Sequence, residues 1–155
     1  MADTARKRRE LVNGLHHEFV DRTQQELSRA ERYCLFLSLV MIDISEFARA
    51  IANRPLSDSI SIDAIYAQLE SSLKNSLRSS DVVSPFDRNR LGILLVETSR
   101  AGLESVRRRI DVFVKDFLKG ELGLPFEPPV EISAASYPEE ADRFSSISSL
   151  LDRAS

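Results

Sequence analysis

The first third of the chain changes from a helical to a strand-like pattern of apolar residues. Four apolar side chains recur at multiples of four between polar residues: Leu11, Leu15, Phe19 and Leu27. Residues 6–32 also lack proline, so they predict an amphipathic helix. Residues 35–42 are almost continuously apolar, which is typical of a strand buried on both faces. We therefore expect a leader helix over residues 1–32 and one domain over residues 33–155.

Two helices and a hairpin are predicted next. Residues 45–53 favour a short helix, and LSDSIS at 56–61 supplies caps for a second one. The second helix carries an apolar stripe: Ile62, Ile65, Leu69, Leu73 and Leu77. Residues 82–86 and 91–96 are short and β-prone with only DRNR between them, so they should pair as an antiparallel hairpin with Asn89 in the left-handed position.

The remainder predicts a helix, a strand and a closing helix. Thr98 or Ser99 can cap the first of these, and the Gly120 to Gly123 region can end it. PPVEISAASYP predicts a strand and FSSISSLLDRA a terminal helix. The order helix-β-α-α-β-β-α-β-α predicts an α+β fold, an α/β sandwich whose mostly antiparallel central sheet of about five strands is flanked by helices.

Composition limits the class of protein but does not identify a reaction. The chain has 155 residues and a net charge of −3, so its composition does not indicate a nucleic-acid partner. It has no apolar run of membrane-spanning length, so we expect no insertion into a membrane. We expect the protein in the cytoplasm. The single Cys34 lies in an apolar run and is expected to be buried. His16 and His17 have no Cys or Glu at zinc-like spacing, so we expect exposed helix positions and no metal site.

Several short motifs follow one another in a fixed order along the chain. MIDISEFA contains Asp43 and Phe47, Asp63 and Asp81 are separated by 18 residues, and DRNRL occupies residues 87–91. They are followed by LLVETS, VRRRI, ISAASYP and LLDRA. Together these motifs resemble the GGDEF domain of bacterial diguanylate cyclases: MIDISEFA is similar to the family's I-D-x-D-x-F-K, the two aspartates keep the separation of its Gly-Asp and R-x-x-D motifs, and its signature pentapeptide falls on DRNRL. The resemblance covers residues 19–155 and implies a nucleotide-cyclase-like fold.

The resemblance also implies that the catalytic site is lost. Cyclases of this family use metal ions held by carboxylates, one of them at the position of Arg90, and an arginine has no acceptor atom. Asp87 and Arg88 replace the paired glycines, whose bare backbone lets the nucleotide approach. We therefore expect no catalytic residues, no metal, no cofactor and no cyclase activity. Asp43 and Asp63 would be vestiges of the substrate site, although a strand end and a first helical turn favour acids in any case.

A second motif of the family is retained in this chain. In the family, R-x-x-D ending six residues before the pentapeptide binds the product, cyclic di-GMP, together with an arginine on the following helix. Arg78 and Asp81 match the motif, and the ungapped register places the helix arginine at Arg109. The chemistry is suitable, because guanidinium groups bind phosphate or guanine O6 and N7, and a carboxylate accepts from guanine N1 and N2. Capping preferences alone could also explain Arg78 and Asp81.

Three functions remain open from the sequence. The first is a catalytically inactive GGDEF-like signalling domain that binds cyclic di-GMP through Arg78, Asp81 and Arg109. The second is a nucleotide-independent module for dimerisation or regulation, as a homodimer or with other signalling domains of a larger protein. The third is residual GTP binding or turnover, which rests on Asp43 and Asp63 alone.

Overall fold

The computed structural model describes residues 2–52, 62–138 and 147–154. Its elements are α1 (Ala2–Tyr33), β1 (Leu37–Asp43), α2 (Ser45–Ala52), α3 (Ile62–Ser76), β2 (Val82–Pro85), β3 (Arg90–Val96), α4 (Arg100–Leu122), β4 (Glu131–Tyr137) and α5 (Ile147–Ala154). This order is the predicted one. The predicted caps at 56–61 and the predicted start of the last helix at 144–146 lie outside the described residues.

The strands form one antiparallel sheet in the order β2-β3-β1-β4. In the centre, Leu37 of β1 lies opposite Val96 of β3 on one side and Tyr137 of β4 on the other. The predicted hairpin is formed by β2 and β3, with Val82 opposite Leu94. The α+β fold class is confirmed. The sheet has four strands within the described ranges rather than about five, since each of the four β-prone segments forms one strand.

Helices cover both faces of the sheet. Because neighbouring strand residues point to opposite faces, β1 contributes Val40 and Ile42 to the core under α2, α3 and α4, and Leu39 and Met41 to the core under α1 and α5. These four side chains are at most 4% exposed. The expectation that this strand is buried on both faces is therefore correct, and the domain is a sandwich of helix, sheet and helix layers.

The leader helix packs along the sheet through its second half. Phe19 is buried against β3, where a Cβ on Gly92 would lie 2.5 Å from the Phe19 ring, so only glycine fits that approach. His16 is half-buried, and its Nδ1 lies 2.7 Å from the Phe86 carbonyl oxygen, so the expectation of an exposed position is wrong for this histidine. Leu11, predicted to lie on the apolar face, is 64% exposed because the contacts with the sheet begin further along the helix.

The connection from α1 to β1 corrects the expectation for Cys34. This residue is exposed and has a φ of 55°, a left-handed conformation that ends the helix. The Leu35 amide donates to the Ala30 carbonyl at 3.0 Å, a bond that closes the final turn of such a helix end. The apolar run that contains the cysteine thus crosses an element boundary, and its burial begins only at Leu37.

Helix α4 begins beside the end of β3 and is capped at both ends. The side chain of Ser99 accepts a hydrogen bond from the Gly102 amide, as an N-cap should. Gly123 ends the helix with a φ of 58°, where the absence of a Cβ removes the penalty for a left-handed residue. Both agree with the sequence prediction. The N-terminal half of α4 then lies beside the end of α3, where the candidate site is located.

Candidate functional site

A cavity of about 330 Å³ lies between the end of α3, the end of β3 and the first turns of α4. Arg78, Asp81 and Arg109, the three residues predicted from the sequence to share a site, all line it. Its other lining residues are Ser76, Leu77, Leu95, Glu97, Thr98, Ser99, Gly102 and Val106. A cleft of this size lies at the lower end of the range for small-molecule sites, roughly 300–1,000 Å³.

The guanidinium of Arg78 is anchored on one edge. Its Nη2 donates to Asp81 Oδ1 at 3.2 Å, to the Thr98 hydroxyl at 2.8 Å and to the Val96 carbonyl at 3.0 Å. Its Nε donates to Asp81 Oδ2 at 3.4 Å. The side chain is nevertheless 58% exposed, so the outer edge of the guanidinium remains accessible.

Asp81, unlike the exposed Arg78 with which it is paired, has a buried side chain. Its side chain is only 2% exposed, and its Oδ2 also accepts from the backbone amide of Arg78 at 3.1 Å. The Asp81 amide donates in turn to the Arg78 carbonyl at 3.0 Å, which closes the turn. The Asp81 carboxylate therefore caps the backbone turn, as the sequence predicts, and it also fixes the position of the Arg78 guanidinium.

Arg109 and Glu97 also line the cavity. Both residues are exposed. Within residues 2–52, 62–138 and 147–154, neither side chain makes a hydrogen bond or an ion pair. Sequence analysis singled out Arg109 but missed Glu97, because only the pairing of β3 with β1 and the turn into α4 bring that residue to the cavity.

The tip of the hairpin forms a second polar cluster, separate from the cavity. Asp87 accepts from Arg90 Nε at 2.6 Å and from the Asn89 amide at 3.0 Å. The Arg90 guanidinium also lies 5.1 Å from the centre of the Phe86 ring, and it is only 26% exposed. The Tyr66 hydroxyl lies 2.9 Å from the Asp87 carbonyl oxygen and 2.7 Å from that of Arg90. The polar groups named here are thus bonded to one another or to Tyr66.

The turn at the tip differs from the predicted one. Asn89 does not have the positive φ expected of it, since the described residues other than glycine with such a φ are Cys34 and Glu97. The Asp87 carboxylate forms the turn instead by accepting from the amide two residues later. Because Asp87 forms this hydrogen bond, the turn does not require a left-handed conformation at Asn89.

The two predicted vestiges of a substrate site lie outside the cavity. Asp43 ends β1 opposite Arg90, and its Oδ1 accepts from the Ser45 amide at 2.8 Å, which caps the start of α2. Asp63 is half-buried in the first turn of α3. Among the residues that the structure describes, no three His, Cys, Asp or Glu side chains are grouped so as to hold a metal ion. Both aspartates occupy positions that local helix chemistry favours.

A family model described as the GGDEF domain of diguanylate cyclases matches residues 15–155. The chain belongs to this GGDEF family. The match includes the second half of α1 and every strand of the sheet. The chain is accordingly a GGDEF-type, diguanylate cyclase-like signalling domain.

Solved structures of GGDEF domains share the fold of this chain. The GGDEF domain of YfiN (TpbB) from Pseudomonas aeruginosa has a TM-score of 0.64 and 22% identity, over 89% of this chain and 83% of that one. SiaD from the same organism, solved with its activator SiaC, has a TM-score of 0.65 and 18% identity, over 99% of this chain and 58% of that one. DgcB from Caulobacter crescentus, solved with c-di-GMP, has a TM-score of 0.55 and 11% identity, over 76% of this chain and 68% of that one.

The search of curated proteins found no match to the chain. Of the helices in the described ranges, none has the length and apolar character needed to cross a bilayer.

Proposed function

We propose that this GGDEF domain is catalytically inactive and binds cyclic di-GMP in the cavity lined by Arg78, Asp81 and Arg109. The observation that carries the proposal is their meeting in one cavity, since they come from two segments separated along the chain by the whole β2–β3 hairpin. The likeness to DgcB, which was solved with c-di-GMP, adds support at the level of the fold.

The two arginines suit the charge of the ligand. Cyclic di-GMP carries two phosphodiester groups, and guanidinium groups make strong, charge-assisted hydrogen bonds to phosphate oxygens. Arg109 is exposed at the cavity, and Arg78 presents the outer edge of a guanidinium whose inner edge is fixed. A prepositioned arginine loses less conformational entropy when it binds an anion, so the anchoring of Arg78 favours binding.

The hairpin tip supports the absence of cyclase activity. The resemblance to active cyclases implies a metal-holding carboxylate at the position of Arg90, opposite Asp43. Arg90 has no acceptor atom, and the neighbouring Asp87 is already paired with it. A divalent cation at this place would meet a guanidinium, so the donor set does not fit the metal site of the family. The same substitution supports an inactive tip with no metal or other cofactor.

Titration calorimetry with cyclic di-GMP tests the binding. We expect saturable binding to the full chain and at least about tenfold weaker binding to Arg109→Ala, because a charged hydrogen bond to phosphate is lost. Arg108→Ala is the matched control, since Arg108 is an exposed arginine on the same helix that does not line the cavity. Absence of binding at high micromolar ligand, or equal losses in the two variants, would contradict the proposal.

Product analysis tests the absence of catalysis. The chain is incubated with GTP and either magnesium or manganese, and the nucleotides are separated by chromatography. We expect unchanged GTP. Formation of cyclic di-GMP would show that the substituted tip still catalyses the reaction and would restore a catalytic role for Asp43 and Asp63.

A second function, as a nucleotide-independent dimerisation or regulatory module, is favoured by the leader helix. Leu11, Asn13 and Gly14 of this helix are exposed, so the helix offers surface that its own sheet does not cover. The likeness to SiaD, solved with its activator protein, extends over 99% of this chain and includes the helix. Light scattering with and without cyclic di-GMP distinguishes the two functions, because this one predicts a dimer whose mass is independent of the nucleotide.

A further inference from the structure

Two carboxylates line the cavity, and they are in opposite states. Asp81 is 2% exposed at its side chain and is already bonded to the backbone amide, Nε and Nη2 of Arg78. Glu97 is exposed and makes no side-chain hydrogen bond or ion pair within the described parts of the chain. Three of the roughly four acceptor sites of the Asp81 carboxylate are therefore occupied, and its burial keeps the remaining site from a guanine base. The Glu97 carboxylate is limited in neither way.

The backbone of Glu97 is also unusual. Its φ is 56°, in the left-handed region that residues with a Cβ rarely adopt. The conformation is held by its surroundings, since its amide donates to the Phe36 carbonyl at 3.0 Å and Thr98, next in the chain, is buried. Residues kept in sparsely populated conformations concentrate at ligand sites, where the surrounding fold sustains the strain. Here the strained residue lies at the cavity wall.

We propose that Glu97 is the carboxylate that recognises guanine in this cavity, and that Asp81 is a positioning residue for Arg78. The inference rests on the proposed binding of cyclic di-GMP and assigns the base-specific contact within it. A carboxylate has two acceptor oxygens, which match the adjacent N1–H and N2–H donors of guanine. The phosphates are then contacted by Arg109 and by the outer edge of Arg78, so charge and base are recognised by different side chains.

The direction in which Glu97→Gln changes the affinity for cyclic di-GMP shows whether Glu97 contacts the ligand. If Glu97 made no contact, its negative charge would repel the phosphates, and Glu97→Gln would strengthen binding. If Glu97 accepts from guanine, the same substitution removes an acceptor oxygen and the charge that strengthens both bonds. We then expect binding to weaken about tenfold or more.

The experiment measures the affinity of the full chain and its variants for cyclic di-GMP and for cyclic di-IMP, whose hypoxanthine bases lack the N2 amino group. We expect the unmodified chain to prefer cyclic di-GMP and Glu97→Gln to lose most of that preference. Asp81→Asn should weaken both ligands to a similar degree and leave the preference intact, because it disturbs only the position of Arg78. Glu121→Gln is the matched control, an exposed glutamate on α4 that does not line the cavity.

The outcomes distinguish this inference from the proposal on which it rests. If the unmodified chain binds neither ligand, the proposed function fails and the inference fails with it. If it binds cyclic di-GMP but Glu97→Gln binds equally well or more tightly, the inference alone is wrong. If Asp81→Asn rather than Glu97→Gln abolishes the preference, then Asp81 recognises the base and the assigned roles are reversed.

Discussion

The hairpin tip and the cavity both contain an arginine paired with an aspartate three residues away, yet the two pairs differ in what they leave accessible. At the tip, Arg90 is 26% exposed, lies against the Phe86 ring and is paired with Asp87. At the cavity, Arg78 is 58% exposed and its Asp81 is buried beneath it. The first pair closes a turn, whereas the second supports a guanidinium that faces open space. Exposure, rather than residue type, therefore separates a structural ion pair from a candidate binding site.

Removal of the aromatic ring at the tip should have the largest effect on stability. Phe86 is 1% exposed and its ring contacts those of His16 and Phe19. We expect Phe86→Ala to lower the free energy of unfolding by about 3–5 kcal/mol, measured by urea denaturation, because it leaves a cavity between α1 and the hairpin. Arg88→Ala, an exposed change in the same turn, should lie within about 0.5 kcal/mol of the unmodified chain. A loss below about 1 kcal/mol for Phe86→Ala would mean that the tip is not packed as described.

Removal of the cavity arginine should affect binding and stability together. Arg78→Ala leaves the buried Asp81 carboxylate with fewer donors, so we expect a loss of about 1–2 kcal/mol in unfolding free energy and at least about tenfold in affinity for cyclic di-GMP. Arg109→Ala should lower affinity without the loss of stability, since the Arg109 side chain makes no hydrogen bond or ion pair within the described residues. Calorimetry and urea denaturation on both variants measure the two effects. Equal stability of the two variants would refute the supporting role of Asp81.

Loss of the buried hydroxyl behind Arg78 should have a smaller effect. Thr98 is 8% exposed, and its hydroxyl accepts from Arg78 Nη2 at 2.8 Å. We expect Thr98→Val to lower the unfolding free energy by about 1 kcal/mol and to weaken cyclic di-GMP binding a few-fold, because one anchor of the guanidinium is lost. Thr98→Ser keeps the hydroxyl and should restore both. If the serine and valine variants bind equally, the hydroxyl does not position Arg78.

The ion pair at the tip should contribute least. Asp87 is 42% exposed at its side chain, so solvent screens its attraction to Arg90. We expect Arg90→Ala to lower the unfolding free energy by less than about 1 kcal/mol and to leave the affinity for cyclic di-GMP unchanged. A substantial change in affinity would show that the tip and the cavity are coupled, and the contrast between the two regions would no longer hold.

Sequence analysis predicted the elements well where a local pattern specifies them. The stripe of α3, the caps of α4 at Ser99 and Gly123, and the burial of β1 on both faces all follow from the spacing of a few neighbouring residues. The failures lie at boundaries. Cys34 belongs to a helix end rather than to the strand, and the turn at the tip depends on Asp87 rather than on Asn89. In each place a particular hydrogen bond overrode the simple propensity: from the Leu35 amide to the Ala30 carbonyl at the helix end, and from the Asn89 amide to the Asp87 carboxylate at the tip.

The candidate site was predictable only in part. The family register named Arg78, Asp81 and Arg109, and the structure places all three at one cavity. Nothing in the register indicated Glu97, because this residue reaches the cavity only through the turn between β3 and α4, where its φ is positive. Nor did the sequence distinguish an aspartate that faces a ligand from one that lies buried under an arginine.

Local sequence patterns specify the helices and strands, the fold family and the positions at which charged side chains meet the ends of these elements. Periodicity, caps and motif spacing carry this information because each depends on residues close together in the chain. Which arginine is accessible and which carboxylate is already bonded follows from the packed fold and not from these local patterns. Those outcomes depend on burial and on hydrogen bonds between distant segments, such as those of Arg78 with Val96 and Thr98, which exist only once α3, β3 and α4 have packed together.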